Sequence, residues 1–150
     1  MKILFLGDVV GVSGRSMILK NLLSKIKDEK IDFVVVNGEN AADSGVGITK
    51  EICKDFFNCG VDVVTTGNHV WDQKEIMSHI EKENRLLRPI NLYEPSPGKG
   101  FGIFTAKNGE KVGVLNLMGN VFMKKCEDVF EAAEKFKKKY KLKENYDFLL

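Results

Sequence analysis

Three apolar runs recur early in this chain, and each is followed by a turn carrying glycine and oxygen-bearing side chains. They are Lys2 to Leu6, Ile31 to Asn37 and Val61 to Thr65. Segments of helical period separate them. Ile18, Leu19, Leu22, Leu23 and Ile26 share one helical face, with Lys20, Lys25 and Lys27 elsewhere. Ile52, Cys53, Phe56 and Phe57 share another, with Thr49 as its cap and Gly60 as its stop. Gln73 to Lys82 supplies a third helix. The first run reads as a strand covered on both faces. The resulting β-α-β-α-β-α alternation points to a parallel sheet with right-handed crossovers, and so to the α/β class.

The texture changes after Lys82. Arg88 to Leu92 leads into Pro95-Ser96-Pro97-Gly98-Lys99-Gly100, a rigid connection rich in turn residues. Phe101 to Ala106 and Lys111 to Leu117 flank Asn108-Gly109, and Asn-Gly between apolar segments signals a hairpin. A hairpin makes the sheet mixed. Val129, Ala132, Ala133, Phe136 and Tyr140 mark a last amphipathic helix, whose lysines read as a solvated face. Asp147 before Phe148-Leu149-Leu150 resembles Asp32-Phe33-Val34 and Asp62-Val63-Val64, so it reads as the opening of another buried strand. Residues 1–150 are therefore expected to be the N-terminal portion of one domain, with no second domain.

Composition narrows the function classes. The chain is 43% hydrophobic and 29% charged with a formal net charge of +2, which gives no pull toward nucleic acid. No apolar run approaches the ~20 residues of a spanning helix, so no membrane partner is expected. The run after Lys2 is too short for a secretory signal. Cys53, Cys59 and Cys126 share no metal-type spacing and fit reduced thiols, hence a cytoplasmic location. Gly7, Gly11 and Gly14 fit neither the dinucleotide fingerprint nor the P-loop.

What remains is a set of three strand-end junctions: Gly7-Asp8, Gly38-Glu39-Asn40 and Gly67-Asn68-His69. In α/β folds, ligands bind where strands end. Asp8, Glu39, Asn40 and Asn68 are oxygen donors suited to a hard cation, and a carboxylate such as Glu39 is able to bridge two. Two ions ~3.5–4 Å apart polarise a phosphoryl group and generate hydroxide near neutral pH. A glycine before each ligand lets the chain turn sharply. His69 is a metal ligand or a proton donor; as a general acid it would contribute about 10²–10⁴-fold. Singly, each residue also has a structural reading: Asp8 as a turn or cap residue, Glu39-Asn40 as a polar loop, Asn68 as a left-handed turn residue, His69 as a hydrogen-bonded loop histidine. Trp71 reads as packing and His79 as surface. The three junctions together favour a metal site.

Gly7-Asp8-Val9-Val10-Gly11, Asn37-Gly38-Glu39-Asn40-Ala41-Ala42, Gly67-Asn68-His69-Val70-Trp71-Asp72 and Pro97-Gly98-Lys99-Gly100 resemble the YmdB-type branch of bacterial calcineurin-like metallophosphoesterases. The wider superfamily has Asp-x-His at the first motif; Val10 in the third position is the variant of this branch. The resemblance implies a four-layer α-β-β-α sandwich and two divalent or trivalent ions, Fe or Mn. It also implies phosphodiesterase activity on cyclic nucleotides, 2′,3′-cyclic ones above all, with RNA-derived ends among the compatible substrates. By family analogy Asp8 binds one metal, Glu39 bridges, Asn40 and Asn68 bind at the second, and His69 acts in catalysis. Further histidine ligands would come from segments after Leu150. The rival reading is a non-catalytic fragment that binds nucleotide or protein without a complete dinuclear site. A flavodoxin-like or Rossmann-like domain is a third, against which the hairpin after Lys99 counts.

Overall fold

The computed structural model describes residues 1–93, 95–123 and 126–150. Strands β1 (Ile3–Leu6), β2 (Phe33–Asn37), β3 (Val63–Thr65) and β4 (Leu86–Leu87) lie side by side in chain order, all parallel. Helices α1 (Gly11–Glu29), α2 (Lys50–Asn58) and α3 (Ile76–Ile80) connect them. Successive strand residues point to opposite faces, and here the two faces meet different material. Val34, Val36, Val64 and Leu86 pack against Ile18, Leu22, Ile52, Phe56 and Ile76 of the three helices. Phe33, Val35, Val63 and Leu87 face the other way, onto Ala106, Val112 and Val114.

Val112 and Val114 belong to a second sheet, and Ala106 directly follows one of its strands. Strands β5 (Phe101–Thr105) and β6 (Lys111–Leu115) form the antiparallel hairpin that Asn108-Gly109 predicts, and β7 (Phe148–Leu149) joins β6 in parallel. The mixed pairing therefore lies in this sheet, while the first is wholly parallel. On the outer side of β5, Phe101 contacts Phe136 and Tyr140 of the segment around α4 (Val129–Lys139), with both ring centroids at 4.6 Å.

The pre-strand aspartates share one physical role. Asp32 accepts from the Lys2 amide at 2.7 Å, Asp62 from Val34 at 2.7 Å, and Asp147 from Lys111 at 2.9 Å. Each carboxylate satisfies a backbone donor of the neighbouring strand, so the recurrence in sequence is recurrent strand pairing.

Several expectations need correction. β1 is an edge strand whose faces are covered only in part: Leu4 and Leu6 pack on the helix side and Ile3 on the other, but Phe5 is exposed. α1 begins at Gly11, inside the expected turn, and its buried face is narrow because Leu19 and Leu23 are exposed. The third helix is a single short turn-and-a-half, and β4 fills a stretch with too few residues to show a period. His79 is half-buried, with Nε2 enclosed and unpartnered, instead of being a surface residue. Thr49 does cap α2, accepting from the Ile52 amide at 3.2 Å, and Trp71 does pack on the helix-side core. All three cysteines are free and buried, and burial pushes the Cys53 and Cys59 thiols up.

Buried polar side chains tie the two sheets together at the ends that carry the junctions. Asn116 follows β6 and donates to the carbonyls of Thr66 and Leu87 at 2.7 and 3.0 Å. Arg88 follows β4 and donates to the carbonyls of Pro97, Pro89 and Ser96, which pins the Pro95–Gly98 turn. Asn116→Ala removes both sheet-to-sheet bonds and leaves buried carbonyls with fewer donors. We expect it to lower unfolding free energy by roughly 1–3 kcal/mol, measured by urea denaturation.

Candidate metal and catalytic site

The first sheet's register sets the three junctions in a row. Leu6 pairs with Val36 and Asn37 with Thr65, so the chain leaves β1, β2 and β3 at nearly the same level. Backbone bonds then lace the loops: Val9 N to Asn37 O at 3.0 Å, Gly11 N to Asn40 O at 2.9 Å, and Gly38 N to Thr65 O at 3.0 Å. The residues that follow the strands are thereby fixed relative to one another before any side chain is considered.

Asp8 sits at the first junction with φ of 39°, in the left-handed region that few non-glycine residues adopt. Its Oδ1 accepts from Asn40 Nδ2 at 2.7 Å, so the first and second junctions touch directly. Glu39 lies in the second junction. Its amide donates to Asn37 Oδ1 at 3.1 Å, and its Oε1 accepts weakly from Asn37 Nδ2 at 3.4 Å. Its other oxygen, Oε2, is buried and has no hydrogen-bond partner. An unsatisfied buried acceptor costs about 1–3 kcal/mol, more for a charged group, and asks for a ligand.

The glycines have other jobs than the sequence suggests. At Gly67 a Cβ would lie 2.0 Å from Glu39 Oε2 and 2.6 Å from Cδ, so only glycine lets the carboxylate rest over the third junction. At Gly38 a Cβ would come within 2.9 Å of Ile48 Cδ1. Close approach, not positive φ, selects glycine at both; the left-handed turn falls on Asp8.

Glu39, Gly67 and Asn68 line a cleft of about 320 Å³ whose far wall is Asn116 to Gly119, after β6. Asn68 also lines an adjoining cleft of about 250 Å³ with His69, Asp72 and Phe122. His69 Nδ1 bonds Asp72 Oδ2 at 2.6 Å. His69 shares this second cleft with Asn68, and among the described residues it makes no hydrogen bond to Asp8, Glu39 or Asn40. Nor do three or more His, Cys, Asp or Glu residues cluster as a metal site among the described residues. The donors that are present fit a hard cation, because Glu39, with one oxygen lacking a partner, and Asn68 line one cleft.

A sequence profile described as "YmdB-like protein" matches residues 4–150. The chain belongs to this family. It is 43% identical over 135 residues to a protein of Bacillus subtilis (strain 168) named 2′,3′-cyclic-nucleotide 2′-phosphodiesterase, covering 89% of this chain and 50% of that protein. It is 33% identical to a putative phosphatase/phosphodiesterase of Mycoplasma genitalium, covering 79% of this chain and 43% of that one. The chain thus spans about half the length of the curated relatives it matches. Two solved structures share the fold. A hypothetical protein from Thermus thermophilus superposes with a TM-score of 0.87 at 34% identity, over 99% of this chain and 56% of that one. A structure titled as a novel phosphatase, from Mycoplasma pneumoniae, gives 0.86 at 29% identity, over 100% of this chain and 53% of that one. Membership in this metallophosphoesterase family implies divalent metal ions.

Sequence reasoning missed Asp72, Asn37 and the Gly67 cradle as parts of the site. Asp72 lies three residues after His69, a spacing that places both on one side of a turn, and that was the available signal. Two outcomes are expected. In Asp72→Ala, ¹⁵N NMR of the imidazole should show the Nδ1–H tautomer of His69 giving way to a mixture; an unchanged spectrum would mean that Asp72 does not fix the ring. In Gly67→Ala the Glu39 carboxylate must move, and a structure of the variant should show it displaced from the cleft.

Proposed function

We propose that this chain carries the first half of the active site of a metal-dependent phosphodiesterase acting on 2′,3′-cyclic nucleotides. The observation that carries the reading is the buried, unpartnered Oε2 of Glu39, a residue that lines a cleft with Asn68. The Bacillus subtilis relative, named as such a phosphodiesterase, supplies the substrate class. Asp8, Glu39, Asn40 and Asn68 would hold two ions, Fe or Mn. When bound, such ions supply positive charge against the phosphodiester and a nucleophile at neutral pH.

The chain's own residues do the rest. Asp72 engages His69 Nδ1 and sets the ring; as the imidazolium, with Nδ1–H given to Asp72, His69 would pass its Nε2 proton to the departing ribose oxygen. The amides of Asn40 and Asn68 add donor oxygens without adding negative charge that would repel the substrate. The cleft wall from Leu117 to Gly119 shields one side from solvent. A four-layer α-β-β-α sandwich is part of the same reading, supported by helices on one face of the first sheet and by the Phe101–Phe136 contact outside the second. The lack of a three-residue His, Cys, Asp or Glu cluster among the described residues favours a second reading, a nucleotide-binding fragment without turnover.

The deciding experiment is manganese- or iron-dependent hydrolysis of a 2′,3′-cyclic nucleotide, by this chain and by a version extended along its reading frame. Metal-dependent turnover in either supports the phosphodiesterase. Chelator-insensitive nucleotide binding with no turnover in both selects the binding fragment. Within the active protein, His69→Ala should lower kcat about 10²–10⁴-fold at unchanged metal content. Equal loss of both would make His69 a ligand. Glu39→Gln should lower metal content itself, read by elemental analysis.

A further inference from the structure

Phe122 is fully exposed, at 101% of its reference area, with φ of 61°. Its neighbours Val121 and Met123 are exposed as well, at 72% and 43%. Apolar side chains grouped in solvent mark a place where something binds. A bulky residue held at positive φ is a second sign, because such strain survives only where the surroundings impose it.

The positive φ falls at the third position of a turn closed by the Met123 amide on the Asn120 carbonyl at 3.3 Å, and the segment that carries this turn is anchored. Buried Asn91 accepts from the Met118 amide at 3.0 Å and donates to the carbonyls of Met118 and Glu127 at 2.7 and 3.0 Å. One side chain thus ties down the chain on either side of Phe122. Asn116 anchors the same segment to Thr66 and Leu87. The ring is therefore presented from fixed points, and it lines the 250 Å³ cleft opposite Asn68, His69 and Asp72. One wall of that cleft is polar and is the proposed site of chemistry; the other is an aromatic face with Met123 beside it.

We propose that Phe122 is a stacking platform for the nucleobase of the substrate, holding the base while the cyclic phosphate lies against Asn68 and His69. The inference rests on the phosphodiesterase reading. The cleft is a small pocket suited to one ring system, and its chemistry is divided as a nucleotide's is, with a charged end and a flat apolar end. Stacking on a single ring tolerates every base because every base has a π face. The expected specificity is accordingly broad, with purines ahead of pyrimidines.

The test compares adenosine 3′-monophosphate with its base-free analogue, 1-O-methylribose 3-phosphate, by calorimetry in the presence of manganese. Wild type should bind the adenosine compound roughly 5- to 100-fold more tightly. Phe122→Ala and Phe122→Leu should lose most of that margin while leaving the affinity for the sugar phosphate unchanged. Phe122→Trp should keep it. Thermal unfolding should be unaltered in all three, since the side chain has no core contact to lose. An adenine margin undiminished in both Phe122→Ala and Phe122→Leu would overturn the stacking role and leave the phosphodiesterase reading standing. Failure of wild type to bind either compound would overturn the stacking role, and turnover by the extended version would still leave the phosphodiesterase reading standing.

Discussion

Four parallel strands laid down in chain order step always in the same direction, so right-handed crossovers deliver every connecting helix to one face. That constraint governs the rest of this structure. A doubly wound sheet would cover its second face with helices after a reversal of strand order. Here there is no reversal among β1 to β4, and the opposite face of Phe33, Val35, Val63 and Leu87 remains to be buried. The hairpin after Gly100 does this with Val112 and Val114. The second sheet is thus a consequence of how the first is wound.

The site follows from the same arrangement. The first sheet ends in three loops at one level, and the end of β6 stands over them through Asn116. A cleft opens between strand ends of two sheets, where side chains from both converge. Glu39 is held over the backbone of Gly67 in a place that a single methyl group would fill. The strain at Asp8 and the unpartnered oxygen of Glu39 are both unfavourable in isolation. Both fall in the laced loops at the strand ends, since Asp8 bonds Asn40, the residue after Glu39, and strained or unpaired groups cluster at functional sites.

Much of this was legible in the chain. The first three strands, the helices between them, the Asn108-Gly109 hairpin and the Asp147 strand start all come from periodicity and turn chemistry. The order of the junctions was legible as well, because a β-α repeat brings successive strand ends together. What was hidden depends on contacts between distant residues. No pattern in Val61 to Asn68 says that Gly67 is needed for the carboxylate of Glu39. Leu86-Leu87 is too short to display a period, and its place in the sheet comes from pairing with β3. The coverage of β1 differs from expectation for a related reason: an apolar run shows that a strand is suited to burial, whereas its neighbours decide how much of it is buried.

The charge of the cleft argues for the division of labour proposed. Asp8 and Glu39 bring carboxylates to the strand ends, and a phosphodiester is itself an anion. Two like charges 4 Å apart repel by about 4 kcal/mol at an effective dielectric constant of 20, a penalty comparable to the whole binding free energy of a weak ligand. A nucleotide would not settle there against carboxylates alone. Cations held there would reverse the sign of the site, and the amides of Asn40 and Asn68 would complete the donor set without restoring the repulsion. On the proposed reading, the apolar wall formed by Met123 and Phe122 would receive the part of the nucleotide that carries no charge, so that one end of the ligand would be held by electrostatics and the other by surface removed from water.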